Sequence, residues 1–168
     1  PGDDADMVAA RTAFLDAGDY QPFLNALTEI IEPASVKHFV DSGCGEGWYT
    51  TALAKLSQKT TAFDISKNAI RRAAKRDKSI QWLVASSGAI PLQSESADAM
   101  LSIFSPVTPS EAARVLSVGG LLIIAAPGER HLWQLREALY ESVRPHQAEK
   151  WFDELADHFE FIEEKRAH

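Results

Sequence analysis

Three alternating glycines and two carboxylates share one short segment, and this combination is typical of a small-ligand site. The segment is VDSGCGEGWYT, residues 40–50, and its glycines are Gly43, Gly45 and Gly47. Glycine lets the backbone turn at positive φ and lets a ligand approach the main chain without a Cβ atom in the way. The segment therefore predicts a ligand-binding loop, and a purely structural turn is the alternative.

The charge and spacing of this segment indicate which ligand it suits. The dinucleotide fingerprint G-x-G-x-x-G leaves two residues before its last glycine, whereas the spacing here is G-x-G-x-G. Asp41 at the rim of the loop and Glu46 inside it would repel a pyrophosphate, but they suit a ligand with ammonium and sulfonium groups such as S-adenosylmethionine. The sequence also lacks the Gly-Lys-Ser/Thr that follows a P-loop.

Two further positions fit the same ligand. Asp64 follows the loop by roughly 20 residues, where a carboxylate can accept hydrogen bonds from both hydroxyls of a ribose. A dipole-stabilised acid at a helix N-terminus is the alternative there. Ser86 and its neighbour Ser87 offer amides and hydroxyls to an adenine edge, although Ser-Ser-Gly is also ordinary loop chemistry.

The elements that would position these residues alternate between apolar runs and helical patterns, which predicts an α/β fold with a doubly wound, mainly parallel sheet. The predicted strands are Val36–Val40, Thr60–Phe63, Ile80–Val84, Ala99–Phe104 and Leu121–Ala126, with a possible sixth at Phe159–Ile162. The predicted helices are Tyr49–Leu56, Lys67–Arg76, Pro109–Leu116, Leu132–Val143 and Glu149–His158. We expect Gly119-Gly120 to end the third of these. Two more helices, broken around Gly18, fill Asp4–Ile31, so residues 1–35 read as an N-terminal helical segment and residues 36–168 as a Rossmann-like domain.

The composition narrows the class of protein. A chain of 168 residues that is 45% hydrophobic suits one globular domain. The single cysteine, Cys44, excludes an internal disulfide and a cysteine-rich zinc site within this chain, so no metal is predicted and a reducing cytoplasm is expected.

The net charge of -7 argues against a domain that coats nucleic acid by charge alone. Local cations could still contact phosphate. Lys67, Arg71 and Lys75 share one predicted helix face, Arg72 and Arg76 a neighbouring one, and Arg11 is a weaker candidate. A solvated surface helix explains the same stripe equally well.

Beyond the loop, several phrases of the chain resemble a known family. From Val36 to Ile162 it is similar to the class I S-adenosylmethionine-dependent methyltransferases. It most resembles the RlmA family, bacterial enzymes that methylate N1 of a guanine in a hairpin of 23S ribosomal RNA. The phrases that carry this resemblance are PGD at 1–3, ARTAFLDAGDYQP at 10–22, DSGCGEGWYT at 41–50, DISKNAIRRAAKR at 64–76, VASSGAIPL at 84–92, IFSP at 103–106 and PGERHLWQLREALY at 127–140.

The resemblance implies roles for residues to which the local sequence pattern assigns none. Tyr20, Gly45, Glu46 and His131 match family positions that contact S-adenosylmethionine. IFSP follows the fourth predicted strand, where many methyltransferases place substrate-facing residues. Phe104 would stack on the target base and Pro106 would shape the pocket, with closure of the core as the alternative for Phe104. A catalytic base is not identified, and a homodimer is expected from the family alone.

The chain also departs from the family pattern. Family members carry an N-terminal zinc module with paired cysteines and an antiparallel seventh strand, and neither is visible in this sequence. We therefore expect a piece of a longer protein that is truncated at its C-terminal end. Ala62 stands where the superfamily often has glycine. Three functions stay open at this point: a ribosomal RNA guanine-N1 methyltransferase, a small-molecule methyltransferase, and a non-catalytic binding module of the same fold.

Overall fold

The computed structural model describes residues 5–127 and 150–165. Its helices are α1 (Ala5–Asp16), α2 (Gln21–Ile31), α3 (Trp48–Leu53), α4 (Lys67–Arg76), α5 (Pro109–Val115) and α6 (Lys150–Ala156). Its strands are β1 (His38–Ser42), β2 (Lys59–Asp64), β3 (Gln81–Val84), β4 (Ala97–Ile103) and β5 (Leu116–Ala125). Short 3-10 turns cover Glu32–Ala34 and Ala54–Leu56. Within the described ranges, no helix is both long and apolar enough to cross a membrane.

The five strands form one parallel sheet of order β3-β2-β1-β4-β5. The chain therefore winds outward from β1 in one direction and from β4 in the other, and the two halves meet between β1 and β4. Ligands of such sheets bind at this switch point, beyond the carboxyl ends of the strands. The predicted Rossmann-like fold is confirmed.

Buried apolar residues explain why these segments become central strands. All five residues of β1 are buried, and four successive residues of β2 and of β4 are buried as well. Such runs are typical of parallel strands that are covered on both faces by helices. One cluster contains Phe39, Leu53, Ala99 and Leu101, and a second contains Val40, Phe63, Met100 and Val115.

The N-terminal helix α2 packs on the first of these clusters. Helix α2 buries Leu24, Leu27 and Ile31 in it. Gly18 lies between α1 and α2 with a φ of 90°, which marks the break that the sequence predicts at this residue. The division into an N-terminal segment of residues 1–35 and a catalytic domain of residues 36–168 stays a prediction.

The position of the Gly119-Gly120 pair differs from the sequence prediction. Helix α5 ends at Val115 and β5 begins at the next residue, so Gly119-Gly120 lies inside a strand and does not end the helix. Leu116 pairs with Ala97 and Leu121 with Ala99, which leaves residues 117–120 of β5 as an irregularity where Gly119 turns at a φ of 78°. The glycine pair thus accommodates extra residues in a strand.

The predicted sixth strand, Phe159–Ile162, is wrong because residues 159–162 do not adopt strand structure. Phe159 packs against the second core cluster, whereas Phe161 and Ile162 are mostly exposed. The apolar run therefore serves to anchor one ring. The predicted helix Leu132–Val143 lies outside the described residues.

Candidate functional site

The glycine loop leaves the carboxyl end of β1 through three left-handed turns. Gly43, Gly45 and Gly47 have φ values of 78°, 55° and 76°, which other residues rarely adopt. The amides of Gly43 and Cys44 donate to the carbonyl of Phe63 at 2.8 and 3.0 Å. The loop is therefore held at the shared carboxyl edge of β1 and β2.

Close packing gives two of these glycines a second reason to lack a side chain. A Cβ atom at Gly43 would overlap the Ser105 side chain, which follows β4. A Cβ atom at Gly47 would lie 2.5 Å from the Trp82 ring. At Gly45 the nearest atom is a guanidinium nitrogen of Arg11, 3.0 Å from the ideal Cβ position. The loop thus fits tightly between β4, β3 and α1.

Asp64 ends β2 directly beside the loop. Its Oδ2 accepts a hydrogen bond from the Gly45 amide at 2.9 Å, and its Oδ1 accepts one from the Ser66 amide at 2.7 Å. Each carboxylate oxygen has capacity for a further donor. The structure therefore brings together the loop and the carboxylate that the sequence assigns to a ribose.

Asp41 lies beneath the loop and not at its rim. Its side chain is 2% exposed, and its Oδ2 accepts a hydrogen bond from the Thr50 hydroxyl at 2.5 Å. Burial raises the pKa of Asp41 to about 7, assisted by the charge of Asp64 and opposed by the Thr50 hydrogen bond. The expected position at the rim is wrong because β1 is central in the sheet and α3 covers its end.

Glu46 is the buried carboxylate of the loop itself. Its side chain is 2% exposed, and its Oε2 accepts a hydrogen bond from Nε of Arg11 at 2.8 Å. Its Oε1 is buried, and no described residue donates a hydrogen bond to it. The hydroxyl of Tyr49 is also buried without a hydrogen-bond partner among the described residues. Burial raises the pKa of Tyr49, with Tyr20 and Glu46 adding to the effect.

Arg11 is a site residue that the sequence did not reveal in this role. It lies 35 positions before Glu46, and no local pattern connects a residue of α1 to the loop. The sequence suggested Arg11 only as a cation for RNA. A buried glutamate in a glycine loop does, however, imply that some cation lies close to it.

Cys44 shows that the loop is not built for a thiolate. Burial raises the pKa of its thiol well above the ordinary value, and the nearby carboxylates Asp41, Asp64 and Glu46 raise it further. A thiol in such surroundings stays protonated and is a poor nucleophile. The chemistry of this loop is therefore that of binding.

Aromatic rings line the side of the site formed by the N-terminal helices. Phe23 lies at the centre, with ring centroids 6.3 Å from Tyr20, 5.7 Å from Tyr49 and 6.0 Å from Phe104. Phe104 stacks on Phe23 with only 18° between the planes, is 46% exposed, and has a φ of 51°. A non-glycine residue held in that conformation is strained, and such strain is found most often at functional sites.

Three further site residues are predicted from the sequence, namely Ser86, Pro106 and His131. Ser86 follows β3 in a tight exposed turn, where its hydroxyl accepts from the Gly88 amide at 3.2 Å. Pro106 is exposed two residues after Phe104. His131 lies outside the described residues. The structure thus gathers Gly43, Gly45, Glu46, Gly47 and Asp64, places Asp41 below them, and sets Tyr20 and Phe104 in one aromatic group.

A parallel sheet of this order, with a glycine loop after β1 and a carboxylate after β2, defines a Rossmann-like cofactor-binding domain. The methyltransferase domain family matches residues 40–124. The chain belongs to this family, which confirms the class I S-adenosylmethionine-dependent methyltransferases as its class.

Two relatives of known name are more closely similar to the chain in sequence. The chain is 34% identical to the 23S rRNA (guanine(748)-N(1))-methyltransferase of Streptomyces fradiae, over 98% of this chain and 61% of the relative. It is also 34% identical to YxjB of Bacillus subtilis (strain 168), which is named as a 23S rRNA (guanine-N(1)-)-methyltransferase, over 81% of this chain and 52% of the relative. The resemblance to enzymes of this kind is confirmed, and the chain spans between 52% and 61% of the length of these relatives.

Solved structures share the fold at low identity. YcgJ of Bacillus subtilis aligns with a TM-score of 0.63 at 18% identity, covering 80% of this chain and 66% of that chain. Geranyl diphosphate methyltransferase in complex with SAM aligns with a TM-score of 0.60 at 16% identity, covering 79% of this chain and 63% of that chain. These alignments confirm the fold.

Proposed function

We propose that the protein methylates N1 of a guanine in a hairpin of 23S ribosomal RNA, with S-adenosylmethionine as the methyl donor. The observation that carries the proposal is the glycine loop, which lies against Asp64 and encloses the buried carboxylate of Glu46. This arrangement stands at the switch point of a methyltransferase sheet, where a cofactor of this class would bind.

The residues of the loop fit that cofactor by charge. The Oε1 atom of Glu46 is buried without a donor among the described residues, and an ammonium group would supply one. Asp64 has remaining acceptor capacity for ribose hydroxyls beside the loop. S-adenosylmethionine, when bound, supplies a methyl group already activated on a sulfonium. The protein then has to align the acceptor atom with that methyl and to exclude water.

The aromatic group supports a planar substrate. A guanine must leave its stack to reach an enclosed site, and enzymes that act on bases hold the extruded base against aromatic side chains. Phe104 presents a partly exposed ring that Phe23 supports from behind. Phe104 and Pro106 would thus form the wall of the base pocket, and Tyr20 would bridge this wall to the cofactor.

The relatives support ribosomal RNA as the substrate, since two that match most of this chain are named for a 23S rRNA guanine-N1 reaction. As an enzyme acting on ribosomal RNA, the protein would work in the cytoplasm. The hairpin, the homodimer and the role of His131 rest on the family resemblance and stay predictions.

A small-molecule methyltransferase is the second candidate. The net charge of -7 favours it, because a polyanionic substrate is repelled by an acidic chain unless cations are concentrated locally. A non-catalytic binding module of the same fold would lack methyl transfer altogether.

The experiment that tests the proposal incubates the full-length protein with tritiated S-adenosylmethionine and unmodified 23S ribosomal RNA, and then maps the product by reverse transcription. N1 methylation blocks the Watson–Crick edge, so we expect label in RNA and a single stop at a hairpin guanine. Cofactor binding without labelled RNA would contradict the RNA substrate and favour a small molecule. Absence of cofactor binding would contradict both methyltransferase candidates and favour a non-catalytic binding module of the same fold.

Variants of Phe104 test the base pocket in the same assay. Phe104→Leu keeps an apolar side chain but removes the ring, and it should lower methyl transfer by at least about fivefold because base–aromatic stacking is worth about 1–3 kcal/mol. Phe104→Tyr keeps the ring and should retain most activity. Both variants should bind S-adenosylmethionine as the wild type does, and equal activity of the two would contradict the stacking role.

A further inference from the structure

A groove with an excess of cations lies between α1 and α4, outside the glycine loop. Its volume is about 440 Å³. Three residues of α1 and five of α4 line it: Val8, Thr12, Asp16, Asn68, Arg71, Arg72, Lys75 and Arg76. Four of these side chains are cations and one, Asp16, is a carboxylate, although the chain as a whole carries a net charge of -7.

The packing of α4 fixes these cations in place. Ala69, Ile70 and Ala73 are buried. The same helix therefore turns Arg71, Arg72 and Lys75 outward, and all three are exposed. Long cationic side chains held along one helix face at spacings of three and four residues form a continuous row.

The groove neutralises little of its own charge. Arg76 donates to Asp16 at 3.1 Å, which joins the two helices. Its Nε is buried without an acceptor in the part of the chain that the structure describes. Across residues 5–127 and 150–165, none of Arg71, Arg72 and Lys75 forms an ion pair. Three cations therefore remain available to an anion from outside.

The position of the groove relates it to the site. Asn68 lies in the first turn of α4, four residues after Asp64, so the groove begins beside the carboxyl edge of the sheet. Helix α1 borders the groove through Val8 and Thr12 and contacts the glycine loop through Arg11. A strand that followed the groove would thus approach the loop from the side of α1.

From these observations we infer that the α1–α4 groove binds the phosphate backbone of the RNA substrate, next to the base that enters the site. The inference rests on the proposed function, since it assigns the RNA contact of that same enzyme. A backbone contact of this kind positions the RNA without reading its sequence.

The test measures the affinity of the full-length protein for a hairpin fragment of 23S ribosomal RNA over a range of KCl concentrations. The groove variant is Arg71→Gln, Arg72→Gln and Lys75→Gln together. The matched control is Lys37→Gln, Lys55→Gln and Lys59→Gln, which removes the same charge from exposed lysines toward the amino ends of the strands. Affinity for S-adenosylmethionine and methylation of the hairpin are measured on all three proteins.

We expect the groove variant to lose at least tenfold in RNA affinity. We also expect the slope of log K against log salt to fall by about 2, because each phosphate contact contributes about 0.7–0.9. The control should keep the wild-type slope, and all three proteins should bind the cofactor equally. Wild-type affinity and slope in the groove variant would overturn the inference and leave the enzyme's function intact. Loss of cofactor affinity in that variant would also overturn it, by showing a structural role. Failure of the wild type to bind or methylate the RNA would overturn the proposed function together with the groove.

Discussion

Two single residues show how the loop between β1 and α3 depends on its surroundings. Gly43 turns at a positive φ and also packs against Ser105, which belongs to the segment after β4. Asp41 sits beneath the loop and is held by Thr50 from α3. Both residues join β1 to a different element, so a substitution at either tests the site and its support together.

Gly43→Ala should destabilise the fold and weaken cofactor binding, because the new methyl group overlaps the Ser105 side chain. Gly119→Ala is the matched control. Gly119 has the same φ of 78°, yet no atom lies within 4 Å of its ideal Cβ position. The free energy of unfolding of the control should fall by only about 1–3 kcal/mol, which is the cost of a non-glycine residue in this backbone conformation. Urea unfolding gives the difference, and equal losses in the two variants would contradict the role of close packing.

Asp41→Asn should change how stability depends on pH. The unfolded chain ionises Asp41 near 3.8, whereas the folded protein keeps this carboxyl protonated up to a pKa of about 7. The folded state binds more protons between those values, so the group's contribution to the free energy of unfolding falls as the pH rises from about 4 to about 7. The full effect is at most about 4 kcal/mol.

The measurement is the free energy of unfolding of wild type and Asp41→Asn at intervals between about pH 4 and pH 8. Asparagine has no proton to lose. The free energy of unfolding of the variant should therefore rise relative to that of the wild type as the pH rises, and the difference between the two should be constant above about pH 7. Parallel curves over the whole interval would show that Asp41 titrates as it does in the unfolded chain.

At the level of elements, the ion pairs that Arg11 and Asp16 of helix α1 make differ in burial. Arg11 pairs with Glu46 of the loop, whose side chain is 2% exposed, whereas Asp16 pairs with Arg76 of α4 at the surface. Removing one partner of a buried pair leaves an uncompensated charge, but a surface pair contributes at most about 1 kcal/mol. The first pair therefore connects the helix to the site, and the second adds little.

Arg11→Ala should lower the free energy of unfolding by about 1–3 kcal/mol, less than a fully buried pair because the arginine is partly open to water. Asp16→Ala should cost at most about 1 kcal/mol. Adding Glu46→Gln to Arg11→Ala should restore part of the loss, since no buried charge then remains. A double variant that loses the sum of the two single effects would refute coupling between α1 and the loop.

These elements also show what the sequence could reveal. The order of the five observed strands and the positions of the glycine loop and Asp64 at their carboxyl edge follow from local pattern, because periodicity and turn residues act over short distances, and the structure confirms these positions. The roles of the loop and of Asp64 toward a cofactor stay predictions. The contact of Arg11 with Glu46 spans 35 residues and leaves no local signal. Gly119-Gly120 has the composition of a helix stop, yet pairing of β5 with β4 places it in a strand irregularity. Residues 159–162 have strand composition but do not adopt strand structure.

At the scale of the whole molecule, charge is distributed unevenly. The chain is acidic overall, and carboxylates concentrate at the carboxyl edge through Asp41, Glu46 and Asp64, where a cationic cofactor would bind. Cations concentrate instead between α1 and α4. Such a separation suits an enzyme that joins a cationic cofactor to a polyanionic substrate, because each ligand is attracted to a different part of the surface.

The central claim is that the loop and Asp64 hold S-adenosylmethionine, and calorimetric titration of the cofactor tests it most directly. Asp64→Ala removes a carboxylate whose charge-assisted hydrogen bonds are worth about 1.5–3 kcal/mol each, whereas Asp77→Ala removes a half-buried carboxylate just beyond the end of α4. We predict that the wild type and Asp77→Ala bind the cofactor alike and that Asp64→Ala binds it at least tenfold more weakly. Equal affinity of all three proteins, or no binding by the wild type, would contradict the account.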